Sequence, residues 1–178
     1  MRREEILYDG KRYRMWNNYL TAGGGFLSST LRSNSQKMVA VDFHFHIRKQ
    51  YFQVGGFMSG EEFLSNNNIQ GHVCYGLRYE RNTVNLAVFA GPSIFTGVTG
   101  TPGVTDPAFY NGWGAYFSLQ AVSKFISYDI GLGGELFADL SEKQRIVGFK
   151  IILFFSGAYR GLKGPINPNV RAENPNLK

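Results

Sequence analysis

The sequence predicts an all-β chain folded as an eight-stranded antiparallel up-and-down transmembrane β-barrel. Three observations predict it: long segments of strict apolar/polar alternation, charges gathered on one face of that alternation, and connections that alternate between tight and long. The clearest segment is "KMVAVDFHFHIRKQYFQVGGFM", residues 37–58. Its odd positions from Val39 are Val39, Val41, Phe43, Phe45 and Ile47, and its even ones are Met38, Ala40, Asp42, His44 and His46. Successive strand side chains point to opposite faces, so one face is greasy and the other polar.

Eight such segments follow one another: residues 18–28, 37–47, 51–60, 69–79, 83–94, 112–122, 126–137 and 146–159. Most match or exceed the ~9–11 residues a tilted strand needs to cross a bilayer. The connectors "RKQ", "ERN" and "SKF" are tight, whereas "STLRSNSQ", "EEFLSNNN", "TGVTGTPGVTDPAFYN" and "ADLSEKQR" are longer. In an up-and-down barrel this alternation puts the tight turns on one rim and the long loops on the other. With eight strands, both termini join the tight-turn, periplasmic rim.

The faces decide which side meets lipid. In the fourth segment Ile69, Val73, Tyr75, Leu77 and Tyr79 oppose Gln70, His72, Cys74, Gly76 and Arg78. In the seventh, Ile126, Tyr128, Ile130, Leu132 and Leu136 oppose Ser127, Asp129, Gly131, Gly133 and Glu135. In the eighth, Val147, Phe149, Ile151, Leu153 and Phe155 oppose Gly148, Lys150, Ile152, Phe154 and Ser156. A water-soluble barrel would bury the charges and expose rows of Val, Ile and Phe, which is costly twice over. The greasy face is therefore expected outward, against lipid. Trp16, Tyr19, Tyr51, Tyr79, Trp113, Tyr128 and Tyr159, near segment ends, suit aromatic girdles at the interfaces.

Composition agrees. Of 178 residues, charged ones make up only 18%, while Gly (22), Phe (15) and Tyr (10) are plentiful. The net charge of +6 comes from scattered residues, so no nucleic-acid partner is expected. Cys74 is the single cysteine, which excludes an internal disulfide and a cysteine-based zinc knuckle. Apolar runs such as "IILFF" are too short for a transmembrane helix. The opening "MRREEILYDGKRYRM" has no apolar core of a signal peptide, so an exported chain would be numbered from or after a cleavage site.

The chemistry-bearing residues converge on the lumen. Asp42, His44, His46, His72, Arg78, Asp129, Glu135 and Lys150 all fall on the polar face and are expected to form a lumen network. "DFHFH" could hold zinc, but His72 would stand two strand spacings, about 10 Å, away. The network is the reading adopted, with no metal, no cofactor and no catalytic residue. A bore made by ~8 strands is only just wide enough for side chains, so the network is a plug and not a pore. "TAGGGF" and "GLGGEL" lack phosphate-loop spacing and are read as positions of close strand approach.

This pattern resembles the small eight-stranded outer-membrane barrels of Gram-negative bacteria, the group with OmpX-like and OmpA-type domains, over roughly residues 16–159. The final segment "VGFKIILFF" looks like the signal read by the barrel-assembly machinery, with Gly148, Ile151, Leu153 and Phe155 in place. Such barrels usually end on an aromatic residue, whereas this chain continues for 19 residues after Tyr159.

The expected organisation is a periplasmic segment over residues 1–15, the barrel over 16–159 and an extended tail over 160–178. Arg160, Lys163, Pro165, Pro168 and Arg171 are the candidate partner-binding positions of that tail. The resemblance implies outer-membrane lipid around the barrel and other envelope proteins at the termini. The function expected is a non-enzymatic structural or accessory subunit of an envelope complex of secretion, barrel assembly or motility, of the Bacteroidota type. A lipid-modifying enzyme, an adhesin or receptor, and a soluble lipocalin-like barrel suggested by "NGWG" are the alternatives. The enzyme would need an outward Ser, His and acid, and the soluble barrel an apolar interior.

Overall fold

The computed structural model of the chain describes residues 5–48, 50–61, 68–99, 108–162 and 170–172. Among these residues twelve strands form: β1 (Glu5–Tyr8), β2 (Lys11–Arg14), β3 (Tyr19–Ser29), β4 (Arg32–Ile47), β5 (Gln50–Gly60), β6 (Asn68–Glu80), β7 (Val84–Thr99), β8 (Ala108–Ile126), β9 (Ile130–Ser141), β10 (Arg145–Phe155), β11 (Tyr159–Leu162) and β12 (Val170–Ala172). Strands β3 to β10 close into an antiparallel barrel in which each pairs with its sequence neighbours and β10 returns to β3. Closure leaves no open sheet edge, the condition a sheet must meet inside lipid.

The alternation read from sequence is the alternation of the wall. Leu77, Val147 and Ile151 are 70%, 61% and 56% exposed on the outside, while Asp42, Glu135 and Lys150 are 1% exposed or less on the inside. The seam runs from Leu20↔Phe155 to Ser29↔Ile146. At this seam a Cβ on Gly25 would lie 1.9 Å from the Phe149 carbonyl oxygen, so "TAGGGF" supplies the close approach that closes the barrel.

Two of the long connections expected from the sequence are tight. "STLRSNSQ" reduces to Thr30 and Leu31 between β3 and β4, and "ADLSEKQR" to Glu142–Gln144 between β9 and β10. Toward the loop rim of β3 and β4 the outward residues become Ser28, Ser35 and Lys37, which erases the apolar/polar contrast although the backbone ladder goes on. Strands β4 and β7 reach 16 residues and β8 reaches 19. The β7–β8 ladder extends from Val84↔Ser123 to Thr99↔Ala108 and rises highest on the loop rim.

The girdle expectation also needs correction. Tyr19 and Tyr128 are buried (2% and 1% exposed), whereas Tyr79, Trp113 and Tyr159 lie on the surface. Tyr19 turns inward to stack on His44, with ring centroids 4.0 Å apart. Tyr128 has φ +61° in the β8–β9 turn and faces the chain termini.

The termini differ most from expectation. The sequence reading leaves both ends unpaired and the tail extended, but they form one four-stranded sheet in the order β11-β2-β1-β12. Strand β1 pairs in parallel with β12, and β2 pairs antiparallel with β11. The β1–β2 hairpin turns at Asp9 and Gly10, with φ +48° and +68°, the left-handed pair of a type I′ turn that Asp-Gly favours. Tyr159, assigned by sequence to the last barrel segment, belongs to β11, because Gly157 (φ +57°) breaks the chain after β10.

Candidate functional site

The lumen is filled, and its polar side chains form a column with two charged centres. In the inner centre, Lys150 Nζ lies 2.6 Å from Asp42 Oδ2 and 3.1 Å from Glu135 Oε1. Asp42 Oδ1 faces His72 Nε2 at 3.0 Å, close enough for an ion pair but off hydrogen-bond alignment. Glu135 accepts from the Tyr116 hydroxyl at 3.0 Å and from Gln120 Nε2 at 2.8 Å. The His72 ring stacks on Tyr116, with centroids 3.9 Å apart. Its Nδ1 lies 3.1 Å from Gln70 Oε1, and Gln70 Nε2 donates to Asp139 Oδ2 at 2.8 Å.

The second centre lies toward the tight-turn rim. Glu80 Oε1 accepts from Arg78 Nη2 at 2.7 Å and from Lys124 Nζ at 2.5 Å. Arg78 Nε donates to Asn85 Oδ1 at 2.6 Å. Tyr19 links the centres: Arg78 Cζ sits 4.4 Å from its ring centroid, and its hydroxyl donates to Gln120 Oε1 at 3.1 Å. His44 completes the link, with Nε2 3.2 Å from Thr21 Oγ1 and 3.4 Å from Gln120 Nε2. Charges removed from water persist only when paired and hydrogen-bonded, and this column meets that condition for Asp42, Glu80, Glu135, Arg78, Lys124 and Lys150.

Of the residues singled out from sequence, Asp42, His44, His72, Arg78, Glu135 and Lys150 meet in this column. His46 does not: it sits half-buried near the rim, where Nδ1 lies 3.1 Å from Asn18 Oδ1. Asp129 also stands apart, because the β8–β9 turn carries it out of the lumen; its Oδ1 accepts from the Ala158 amide at 3.1 Å. Glu80, Lys124, Gln120 and Asp139 belong to the column and were missed. Ending two segments at Tyr79 and Val122 cut off Glu80 and Lys124, although both continue the inward parity of Arg78 and Gln120.

The terminal sheet is joined to the second centre. The Trp16 amide donates to Glu80 Oε2 at 2.9 Å, and Arg78 Nη1 donates to the Asn17 carbonyl at 2.7 Å. Asn17 Nδ2 donates to the Ser156 carbonyl. Ile6, Tyr13, Tyr128 and Ala158 form a buried apolar cluster where the sheet meets the barrel. The sheet therefore packs against the tight-turn rim, anchored by an apolar contact and by main-chain bonds to buried charges. Of the tail positions, Arg160 lies in β11 and Arg171 in β12, while Lys163, Pro165 and Pro168 lie outside the described residues.

No family model and no curated protein sequence matches the chain. Solved structures do. The attachment invasion locus protein Ail of Yersinia pestis aligns at TM-score 0.57 and 8% identity, covering 83% of this chain and all (100%) of that one. Neisserial surface protein A aligns at TM-score 0.59 and 12% identity, over 78% and 96%. The N-terminal β-barrel domain of Pseudomonas aeruginosa OprF gives 0.55 and 8%, over 78% and 98%. At such identities the likeness carries the fold: this chain has the architecture of the small eight-stranded outer-membrane barrels.

Proposed function

We propose that the chain is an integral outer-membrane barrel that works as a non-enzymatic structural or accessory subunit of an envelope complex. The observation that carries the reading is the combination of an apolar exterior with a lumen closed by paired charges. Lipid suits the outside, and the filled inside offers solutes no path. The histidines support a non-enzymatic role, since His44 and His72 are buried in the column and His46 lies beside Asn18. What remains for partners is the terminal sheet, a folded platform on the rim assigned to the periplasm. Its Lys11, Arg12 and Arg14, with Arg160 and Arg171, give it a basic character.

A second reading, an adhesin or receptor, is favoured by the tall β7–β8 hairpin, which carries Phe109 at 82% exposure. Purification of the tagged chain from its native membranes in mild detergent tests the choice. The subunit reading expects a stoichiometric envelope protein that is lost when residues 160–178 are removed. A lone barrel that loses ligand or cell binding when residues 100–107 are deleted would replace it with the adhesin reading.

A further inference from the structure

The row of outward side chains thins where β5 and β6 pair. Gly56 on β5 and Gly71 on β6 are directly paired, and both fall on the outward parity, next to Val54 and Ile69. The same row continues through Ile94 on β7 to Trp113 on β8. Two adjacent strands thus expose bare backbone within a belt of branched and aromatic side chains. The result is a groove of about 960 Å³, walled by Ile69, Ile94 and Trp113. Trp113, 77% exposed, separates it from a second hollow of about 620 Å³.

Sterics explain one of these glycines and not the other. A Cβ on Gly56 would lie 2.3 Å from the Gln70 carbonyl oxygen, so the wall needs glycine there. A Cβ on Gly71 would meet nothing closer than 3.8 Å, so the strand would accept a side chain at that position. The bare surface at Gly71 is space that the fold does not require.

The groove has a polar, cationic end. Thr96, Asn111, Glu142 and Lys143 line it toward the loop rim. Lys143 Nζ donates to the Asn111 carbonyl at 2.7 Å, which holds the ammonium at the groove mouth; an ammonium carries three donors, and this bond uses one. Arg145 lines the second hollow on the other side of Trp113, and Glu142 lines both. Two cations against one carboxylate leave the mouth net positive.

We propose that this groove is a lipid site. An acyl chain lies over Gly56 and Gly71 against Trp113, and the anionic phosphate headgroup of the same lipid sits at Lys143 and Arg145. The proposal rests on the membrane reading above. It adds to that reading a preferred lipid class at one face of the wall.

Trp113 is the reporter, in a Trp16→Phe background of the full chain reconstituted into phosphatidylcholine vesicles with a minor fraction of phosphatidylglycerol. Bromine is placed on the acyl chains of one lipid or, in equal amount, of the other. Brominated phosphatidylglycerol is expected to quench Trp113 severalfold more deeply than brominated phosphatidylcholine. The excess should vanish in the Lys143→Gln/Arg145→Gln variant and fall in Gly71→Leu. Equal quenching by the two lipids would overturn the site and leave the membrane reading standing. An excess that survives Gly71→Leu and the smaller Gly71→Ala would overturn the acyl-chain placement. No quenching by either lipid would overturn the membrane reading and the site together.

Discussion

Lys150 and Asp42, 108 residues apart in sequence, meet at 2.6 Å inside the barrel from strands that flank β3 on either side. Their contact forms only when β10 closes on β3, so it reports barrel closure as well as lumen charge. Removing one partner of a buried pair typically costs about 3–5 kcal/mol, because the remaining charge is left unpaired. Lys150→Met is expected to destabilise the folded barrel by about that much, since it strands both Asp42 and Glu135. Urea unfolding in lipid vesicles, followed by the gel-mobility shift between folded and unfolded barrel, measures it. A loss within the ~0.5 kcal/mol of an ordinary surface change would contradict the pairing.

Conductance tests the filled lumen. Arg78, Glu80 and Lys124 span the bore at one level, and Asp42, Glu135 and Lys150 at another. The reconstituted protein is expected to show no sustained channel in planar bilayers and no sugar flux in liposome-swelling assays. Steady ion currents from the intact chain would mean that the column opens.

The seam gives a steric prediction. Gly25→Ala places a methyl group against the Phe149 carbonyl and should impair closure by more than the ~1–3 kcal/mol usual for overpacking. Gly71→Ala, made for comparison, should fold like the parent. Refolding yield into detergent, scored by the same mobility shift, separates the two.

The docking of the terminal sheet turns on Tyr13, which is 3% exposed and packs against Tyr128 with ring centroids 5.5 Å apart. Tyr13→Ala should cost about 3–5 kcal/mol of the docked state and make residues 5–14 cleavable by protease while the barrel stays folded. Hydrogen exchange of β1 and β2 against β6 reads the same difference.

Alkaline pH should act in the same direction. Burial, with Tyr159 beside it, raises the Tyr13 phenol above its ordinary value of 10.0. A group whose folded pKa is raised adds stability that is complete below its unfolded pKa and is lost as pH rises through the folded one. Protection of β1 and β2 should therefore hold at neutral pH and fall above about pH 10, and Tyr13→Phe should remove this dependence. Unchanged protection at pH 11 in the parent chain would argue against a docked, protonated Tyr13.

Much of the barrel was legible because the lipid-facing wall writes itself as alternation. Val39 to Ile47 and Val147 to Phe155 each state which side is out, and Asp42, His44 and Lys150 follow as inward by parity. Legibility ended where that contrast ended. The upper parts of β3 and β4 carry Ser28 and Ser35 outward, so "STLRSNSQ" reads as a loop although Ser29 pairs with Arg32. Glu80 was lost because β6 runs one residue past Tyr79, and Lys124 because "SKF" reads as a tight turn although β8 continues through it to Ile126. The terminal sheet was hidden differently: β1 and β12 pair across most of the chain, and no local pattern encodes that partnership. The Asp9-Gly10 turn between alternating "EILY" and "KRYR" was nonetheless a hairpin signal in plain view.

The barrel sets its apolar face in lipid around a sealed polar core. Nitroxide scanning of β10 in reconstituted bilayers tests it most directly, one label at a time over residues 147–155, after Cys74→Ser removes the single native cysteine. A two-residue period is expected, with high oxygen accessibility at 147, 149, 151, 153 and 155 and little access for oxygen or polar reagents at the positions between. Outward labels that polar reagents reach as readily as a water-soluble control would contradict it.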